Sequence, residues 1–293
     1  MAAGTTERTG GRVALGLLLP GVLALVATYG LPLVWVLRMS LNEGRSGGAI
    51  QQTVTADSFA KVLGDGFYWK VIGSTVQLGV LVTVCAVVLS YPIALFLSQT
   101  TSRWRGVLVA LAVAPLLTSS VARTYGWMVI LGDQGVVNGT LRDLGLISGS
   151  VPLANNLTGV VIALTEIFMP YAVLAMLSGF GRLSGELEHA AASLGANRWR
   201  VFWRVTLPLS LPGVLTAALL VFVLAISAYV TPALIGGGRV FVLATEIYDE
   251  ATVQLNWPVA AALSVLLLVL FSTIVLVYQR ANRALEAQSG RPS

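Results

Sequence analysis

The chain has 293 residues, of which 56% are hydrophobic and 11% charged, with 18 basic and 13 acidic side chains. A soluble domain of this length needs far more charge to cover its surface, and a mean hydropathy of +0.82 points to the membrane instead. The basic surplus does not mark a nucleic-acid partner. Only Lys61 and Lys70 are lysines, and the arginines stand singly at the ends of apolar runs. One cysteine, Cys85, and one histidine, His189, exclude a disulfide framework, a cysteine metal cluster and a multi-histidine metal site.

Six apolar runs are long enough to cross a bilayer, which takes about 20 residues of helix at ~1.5 Å rise. In chain order they are Val13 to Leu37, Val71 to Leu97, Val107 to Leu131, Leu157 to Leu177, Val214 to Ile235 and Pro258 to Tyr278. The fold class that follows is an all-α polytopic membrane protein with six transmembrane helices. Arg8 and Arg12 precede the first run as in a signal peptide. Its 25 residues exceed the ~7–15 of a signal core, so it reads as a retained helix. Trp35, Trp69, Trp104, Trp127 and Trp257 lie near span ends, as an interfacial belt does.

Loop charges set the orientation. One side carries Arg8, Arg12, Arg103, Arg105, Arg182, Arg198, Arg200, Arg204, Arg280, Arg283 and Arg291 against four acids. The other carries six basic residues against eight acids, among them Asp133, Glu246, Asp249 and Glu250. Both termini are therefore expected in the cytoplasm.

Within the runs, the ionisable residues are Arg123 in the third and Glu166 in the fourth. Eight or nine residues of helix, ~12–14 Å, separate each from the outer end of its span, so the two are expected to meet at one level. Either they tie the two helices together or they line a pathway. Pro92, Pro115, Pro170 and Pro232 free backbone carbonyls within the runs, which implies kinked helices or irregular packing. Tyr125, Trp127, Tyr171, Tyr229, Tyr248 and Trp257 are candidates, with Asp133, Asp249 and Glu250, for a pathway that attracts a cation. Outer acids also follow from the positive-inside rule alone.

No G-x-x-x-x-G-K-[ST] phosphate loop exists, because neither lysine follows a glycine. If the function consumes ATP, the nucleotide site is on another polypeptide. Between the fourth and fifth spans the chain reads E-L-E-H-A-A-A-S-L-G-A-N-R-W-R-V-F-W-R-V-T-L-P, from Glu186 to Pro208. This spacing predicts a short alanine-rich helix, a break at Gly195, and a second, basic and aromatic helix that ends before Pro208. Trp199 and Trp203 suit the membrane interface.

The loop resembles the EAA motif of ABC-transporter permeases. Ala190 and Ala191 stand at its alanines and Gly195 at its glycine. Ala196 opens the nine-residue spacer, and Leu207 and Pro208 close the motif. His189 stands where the motif has glutamate, with Glu188 adjacent. The segments A-P-L-L-T-S-S-V-A-R-T-Y-G-W from Ala114, G-D-Q-G-V-V-N from Gly132, A-Y-V-T-P-A-L-I-G-G-G from Ala228 and N-W-P-V-A-A-A-L-S from Asn256 are similar to the spermidine/putrescine branch.

The resemblance implies a type I importer permease in a bacterial inner membrane. The first helix and its outer loop would occupy residues 1–65, the permease domain 66–284 and a cytoplasmic tail 285–293, with the coupling loop at 184–208. It further implies a second, different permease subunit, a cytoplasmic ATPase dimer that binds the coupling loop and carries the ATP, and a periplasmic or lipid-anchored solute-binding protein. No cofactor of its own is expected. The cargo expected is a polyamine or similar organic cation. Permeases for opines, phosphonates, thiamine or ferric iron share these signatures. A secondary transporter is the reading from another class.

Overall fold

A backbone that crosses apolar surroundings must satisfy its own N–H and C=O groups, and a helix is the local way to do so. The computed structural model describes residues 18–44, 50–180 and 185–288, apart from the side chains at 185, 186, 188, 189, 281, 282 and 284–288. The start of the expected first span, Arg8, Arg12, Arg45, Arg182, Arg291 and most of the expected tail lie outside the described residues. So do the side chains of Glu188 and His189. The described chain is helical apart from loops and one short hairpin, β1 (Glu43–Gly44) with β2 (Ile50–Gln51).

The helices are α1 (Leu18–Ser40), α2 (Asp57–Gly64), α3 (Gly66–Gln99), α4 (Arg105–Val113) and α5 (Ser120–Leu131). There follow α6 (Val136–Asp143), α7 (Leu157–Gly179), α8 (Gly185–Ser193), α9 (Arg198–Ile226), α10 (Val230–Ile235), α11 (Leu243–Thr252) and α12 (Trp257–Gln288). Among the described residues, five helices are long and apolar enough to cross a membrane. A sixth is added if α4 and its bent continuation count as one span.

Two expected spans differ from the structure. The third is not one rod. After α4 a 3₁₀ turn, Ala114–Leu117, carries Pro115, the backbone goes extended at Thr118, and the segment Ser120–Asp143 leaves at 89°. Pro115 fits the first turn of such a helix, where its missing N–H costs nothing, whereas inside a continuous one it would free a carbonyl. The fifth span starts earlier and stops sooner than Val214 to Ile235. It runs Arg198–Ile226, and Ser227 to Tyr229 separate it from α10. The expected stop before Pro208 does not occur either. A π-turn, Phe202–Thr206, widens the helix just ahead of that proline, with Leu207 N–H bonded to Phe202 O, and the helix continues. The same device precedes Pro32 in α1, at Val26–Gly30.

The chain divides into two units. One takes residues 1–65 with 247–268, and thus α1, the hairpin, α2, the end of α11 and the first part of α12. There Arg38 holds the turn after α1, with Nη1 donating to Asn42 Oδ1 at 2.5 Å and to Thr53 O at 3.1 Å. The Ser58 hydroxyl donates to Asn42 O. Gly44 lies against Asn256 and Pro258, with no room for a Cβ.

The other unit takes 66–246 with the remainder of the chain from 269. Its core is built from α3, α7 and α9. Leu78, Val82 and Ala86 of α3, Val160, Leu164 and Met176 of α7, and Ala217 and Val221 of α9 are all buried. Lipid tails are as apolar as these side chains, so association rests on close packing and on polar ties. Gly79 meets Phe222 and Ile226, and Gly179 faces Gly213 backbone to backbone. Ser90 Oγ donates to Met169 O at 3.2 Å, and the hydroxyls of Tyr91 and Ser210 share a 3.0 Å hydrogen bond.

The Gly179–Gly213 contact leaves no space for a side chain. Gly213→Leu is expected to push α7 and α9 apart and lower the melting temperature of the purified protein, since such overpacking costs about 1–3 kcal/mol or more. Gly73→Ala, where an added Cβ meets nothing, is the control expected to hold the melting temperature. An unmoved transition in Gly213→Leu would show that the helices do not meet there.

Candidate functional site

The segment between the fourth and fifth expected spans is built around one residue. Gly195 has φ of +82°, a backbone region that an L side chain rarely enters. It ends α8 in a Schellman turn: Gly195 N–H bonds to Ala192 O at 2.9 Å and Ala196 N–H to Ala191 O at 3.2 Å. Two residues later Asn197 caps α9, its Oδ1 accepting from Arg200 N–H at 2.9 Å. The expected break thus falls at Gly195, and one of the carbonyls the turn satisfies is that of the motif alanine Ala191. Beside it Leu194 is 88% exposed, and Leu187 is exposed too. Ala190 and Pro208 are exposed, Ala191, Ala196 and Leu207 half-buried. Along the start of α9, between arginines, Trp199 stacks on Phe202 and Trp203 meets both rings edge to face.

Deeper in the same unit the structure brings Arg123 and Glu166 together. Arg123 Nη2 donates to Glu166 Oε1 at 2.5 Å and Nε to Oε2 at 3.3 Å, a two-pronged ion pair. Trp127 Nε1 donates to the same Oε2 at 3.1 Å, so the residue one turn along α5 joins the pair. The guanidinium also serves the backbone. Pro170 stands four residues after Glu166 inside α7 and offers no N–H, which leaves the Glu166 carbonyl without a helical donor. Arg123 Nη2 supplies one at 2.9 Å. Its Nη1 donates to Pro115 O at 3.3 Å, on the far side of the bend. One side chain thus clasps both halves of the broken span and the kinked helix beside them. The Arg123 side chain is 11% exposed and that of Glu166 38%, so the carboxylate is the open member of the pair.

Of the other candidate pathway residues, Tyr125 is exposed on α5 and Asp133 in the turn after it. Tyr171 is part-exposed on α7, against the edge of Phe168. Tyr229 sits in the break between α9 and α10. Tyr248, Asp249 and Glu250 on α11 and Trp257 at the start of α12 belong to the other unit. There Glu250 O accepts from Asn256 N–H at 2.7 Å. Composition does not reveal the hydroxyl tie between Thr124 and Thr231, 2.9 Å apart and buried, which joins α5 to α10. Nor does it mark Pro115 as an acceptor. The signal for the freed carbonyl was present, a proline four residues after an acid within an apolar run.

These features fit comparisons with known proteins. A family described as "Binding-protein-dependent transport system inner membrane component" matches residues 86–287. The chain belongs to that family. It is a permease subunit of an ABC importer, an inner-membrane component. The spermidine/putrescine transport system permease protein PotB of Haemophilus influenzae is 32% identical over 232 residues, 79% of this chain and 81% of the relative. Its counterpart in Escherichia coli is 29% identical over 255 residues, 87% of this chain and 92% of that one. The permease also shares its fold with a chain of a bacterial alginate ABC transporter solved with an alginate-bound periplasmic protein. There the TM-score is 0.75 at 18% identity, over 95% of this chain and 96% of that one.

The clasp makes demands on the permease. Glu166→Met leaves a nearly buried guanidinium without its counter-ion and is expected to cost about 3 kcal/mol. Arg123→Met leaves the carboxylate without its counter-ion and also takes the donor from Glu166 O and Pro115 O, and is expected to cost at least as much. The double change should recover stability relative to Glu166→Met. Additive losses in thermal unfolding would show the two residues to be independent.

Proposed function

We propose that this permease carries polyamines, or a similar small organic cation, inward across the membrane. The observation that carries the substrate reading is the Glu166 carboxylate, the open member of an ion pair at membrane depth. Of the two paired groups the carboxylate is the more exposed, which favours contact with a cation over an anion. The names of the relatives, permeases for spermidine and putrescine, support the same choice. Asp133, Asp249 and Glu250, with Tyr125, Trp127, Tyr171, Tyr229, Tyr248 and Trp257, are proposed to serve the same route.

The complex we propose holds a second, different permease subunit, a pair of cytoplasmic ATPase subunits and a periplasmic or lipid-anchored binding protein that delivers the solute. ATP is bound and hydrolysed on the ATPase subunits. They engage the segment from Glu188 and His189 through Ala190, Ala191, Gly195 and Ala196 to Leu207 and Pro208. The exposed Leu187 and Leu194 beside the Gly195 turn support this docking, since apolar side chains on a polar, cytoplasmic segment need a cover. Both termini lie in the cytoplasm, as the arginine distribution supports.

Two measurements test this. In Gly195→Val a β-branched side chain is forced into the left-handed region, at about 1–2 kcal/mol, and the Schellman turn opens. The variant is expected to insert normally yet lose ATPase co-purification and uptake; uptake at the wild-type rate would sink the coupling assignment. For substrate, spermidine and putrescine are expected to compete for uptake by the complete transporter in proteoliposomes, more weakly in Asp249→Asn or Glu250→Gln. Indifference to every polyamine, with uptake of an anion, would end the substrate reading.

A further inference from the structure

We infer that Arg123 is a tethered counter-cation, which occupies on Glu166 the place that a transported ammonium group would otherwise take. The inference rests on the polyamine reading above and adds a mechanism to it. Glu166 is the half-exposed member of the pair, yet both its oxygens are already engaged, Oε1 by Arg123 Nη2 and Oε2 by Arg123 Nε and Trp127 Nε1. A group at the open side therefore meets a carboxylate whose charge is neutralised from behind. The arginine cannot leave, because two further contacts hold its guanidinium to main-chain oxygens, Glu166 O and Pro115 O. Those oxygens are fixed by the fold: Pro170 frees the first and the bend carries the second. Arg123 is thus positioned independently of the carboxylate it neutralises.

This arrangement has a use in transport. A bare acid at membrane depth would bind a polyammonium ion tightly and release it slowly. A pathway must bind well enough to admit its cargo and weakly enough to let it go. An arginine held beside the acid sets the affinity low, because an entering ammonium meets a carboxylate whose charge is already matched and whose two oxygens are already engaged. Affinity is left to the delivering protein, and the permease remains a conduit.

The test measures binding of radiolabelled spermidine to the purified complete transporter, without binding protein or nucleotide. Wild type is expected to bind weakly. Arg123→Gln is expected to bind at least about tenfold more tightly, the worth of one charge-assisted hydrogen bond. The gain should vanish in the double variant Arg123→Gln with Glu166→Gln. A merely structural pair would lower stability in the singles and leave spermidine binding alone, so binding in Arg123→Gln no tighter than wild type overturns the inference. Should Arg123→Gln not assemble, Arg123→Lys takes its place. A single ammonium cannot span both carboxylate oxygens and Pro115 O, so binding should tighten in the same direction by less, and unchanged binding is the refuting result. Molybdate or phosphate bound more tightly by Glu166→Gln would also overturn it, since Arg123 would then be the receiving group. Wild-type spermidine uptake is followed in parallel. Uptake without Glu166-dependent binding in the arginine variants removes the tethered cation alone, whereas no polyamine uptake at all removes the substrate reading and the inference with it.

Discussion

A carbonyl that loses its helical donor in an apolar medium must find another, and much of this permease's interior follows from that requirement. Pro170 removes the donor for Glu166 O, and Arg123 replaces it. To reach that carbonyl, the guanidinium must approach from α5, and α5 is brought to α7 by the bend at Thr118. The charge this introduces at depth is matched by the side chain of the same Glu166, and Trp127 completes the carboxylate. Backbone repair and charge pairing are therefore one structure. An isolated ion pair would have no such anchor, and an isolated proline kink would leave a polar group bare.

Prolines elsewhere in the chain are met by other means. Ahead of Pro32 and Pro208 the helix widens by one π-turn, so that the rings fit without ending the rod. Pro115 lies in the first turn of a 3₁₀ helix, where a missing N–H matters little. A helix that continues through Pro208 makes the segment after Gly195 one helix with the span that follows it.

How much of this was legible in the sequence depends on what kind of signal each element leaves. Arg123 and Glu166 stand out because the apolar runs hold no other charge, and their common depth follows from helical rise. Gly195 is equally plain, since a motif glycine at the end of an alanine-rich helix has few other reasons to be there. The bend at Thr118 is not visible in hydropathy, because Leu116, Leu117, Val121 and Ala122 keep the average apolar across the break. Pro208 misled the reading of α9, because a proline after an arginine-rich stretch normally stops a helix, and a π-turn leaves no mark in composition. The aromatic and acidic residues proposed as a mouth are divided by the fold. Tyr248, Asp249, Glu250 and Trp257 fall in one unit, and Tyr125, Asp133 and Tyr229 in the other. Residue type alone carries no information about that division.

The meeting of Gly179 and Gly213 has a mechanical side. Gly213 lies near the middle of α9, 15 residues from Arg198 and 13 from Ile226, which at ~1.5 Å per residue makes two arms of about 20 Å each. With bare backbone against backbone at that point, α9 touches α7 near its middle, as Phe222 and Ile226 touch Gly79 of α3 near its end. The two glycines thus set how near α7 and α9 can come, and a side chain added at either one is felt along both arms.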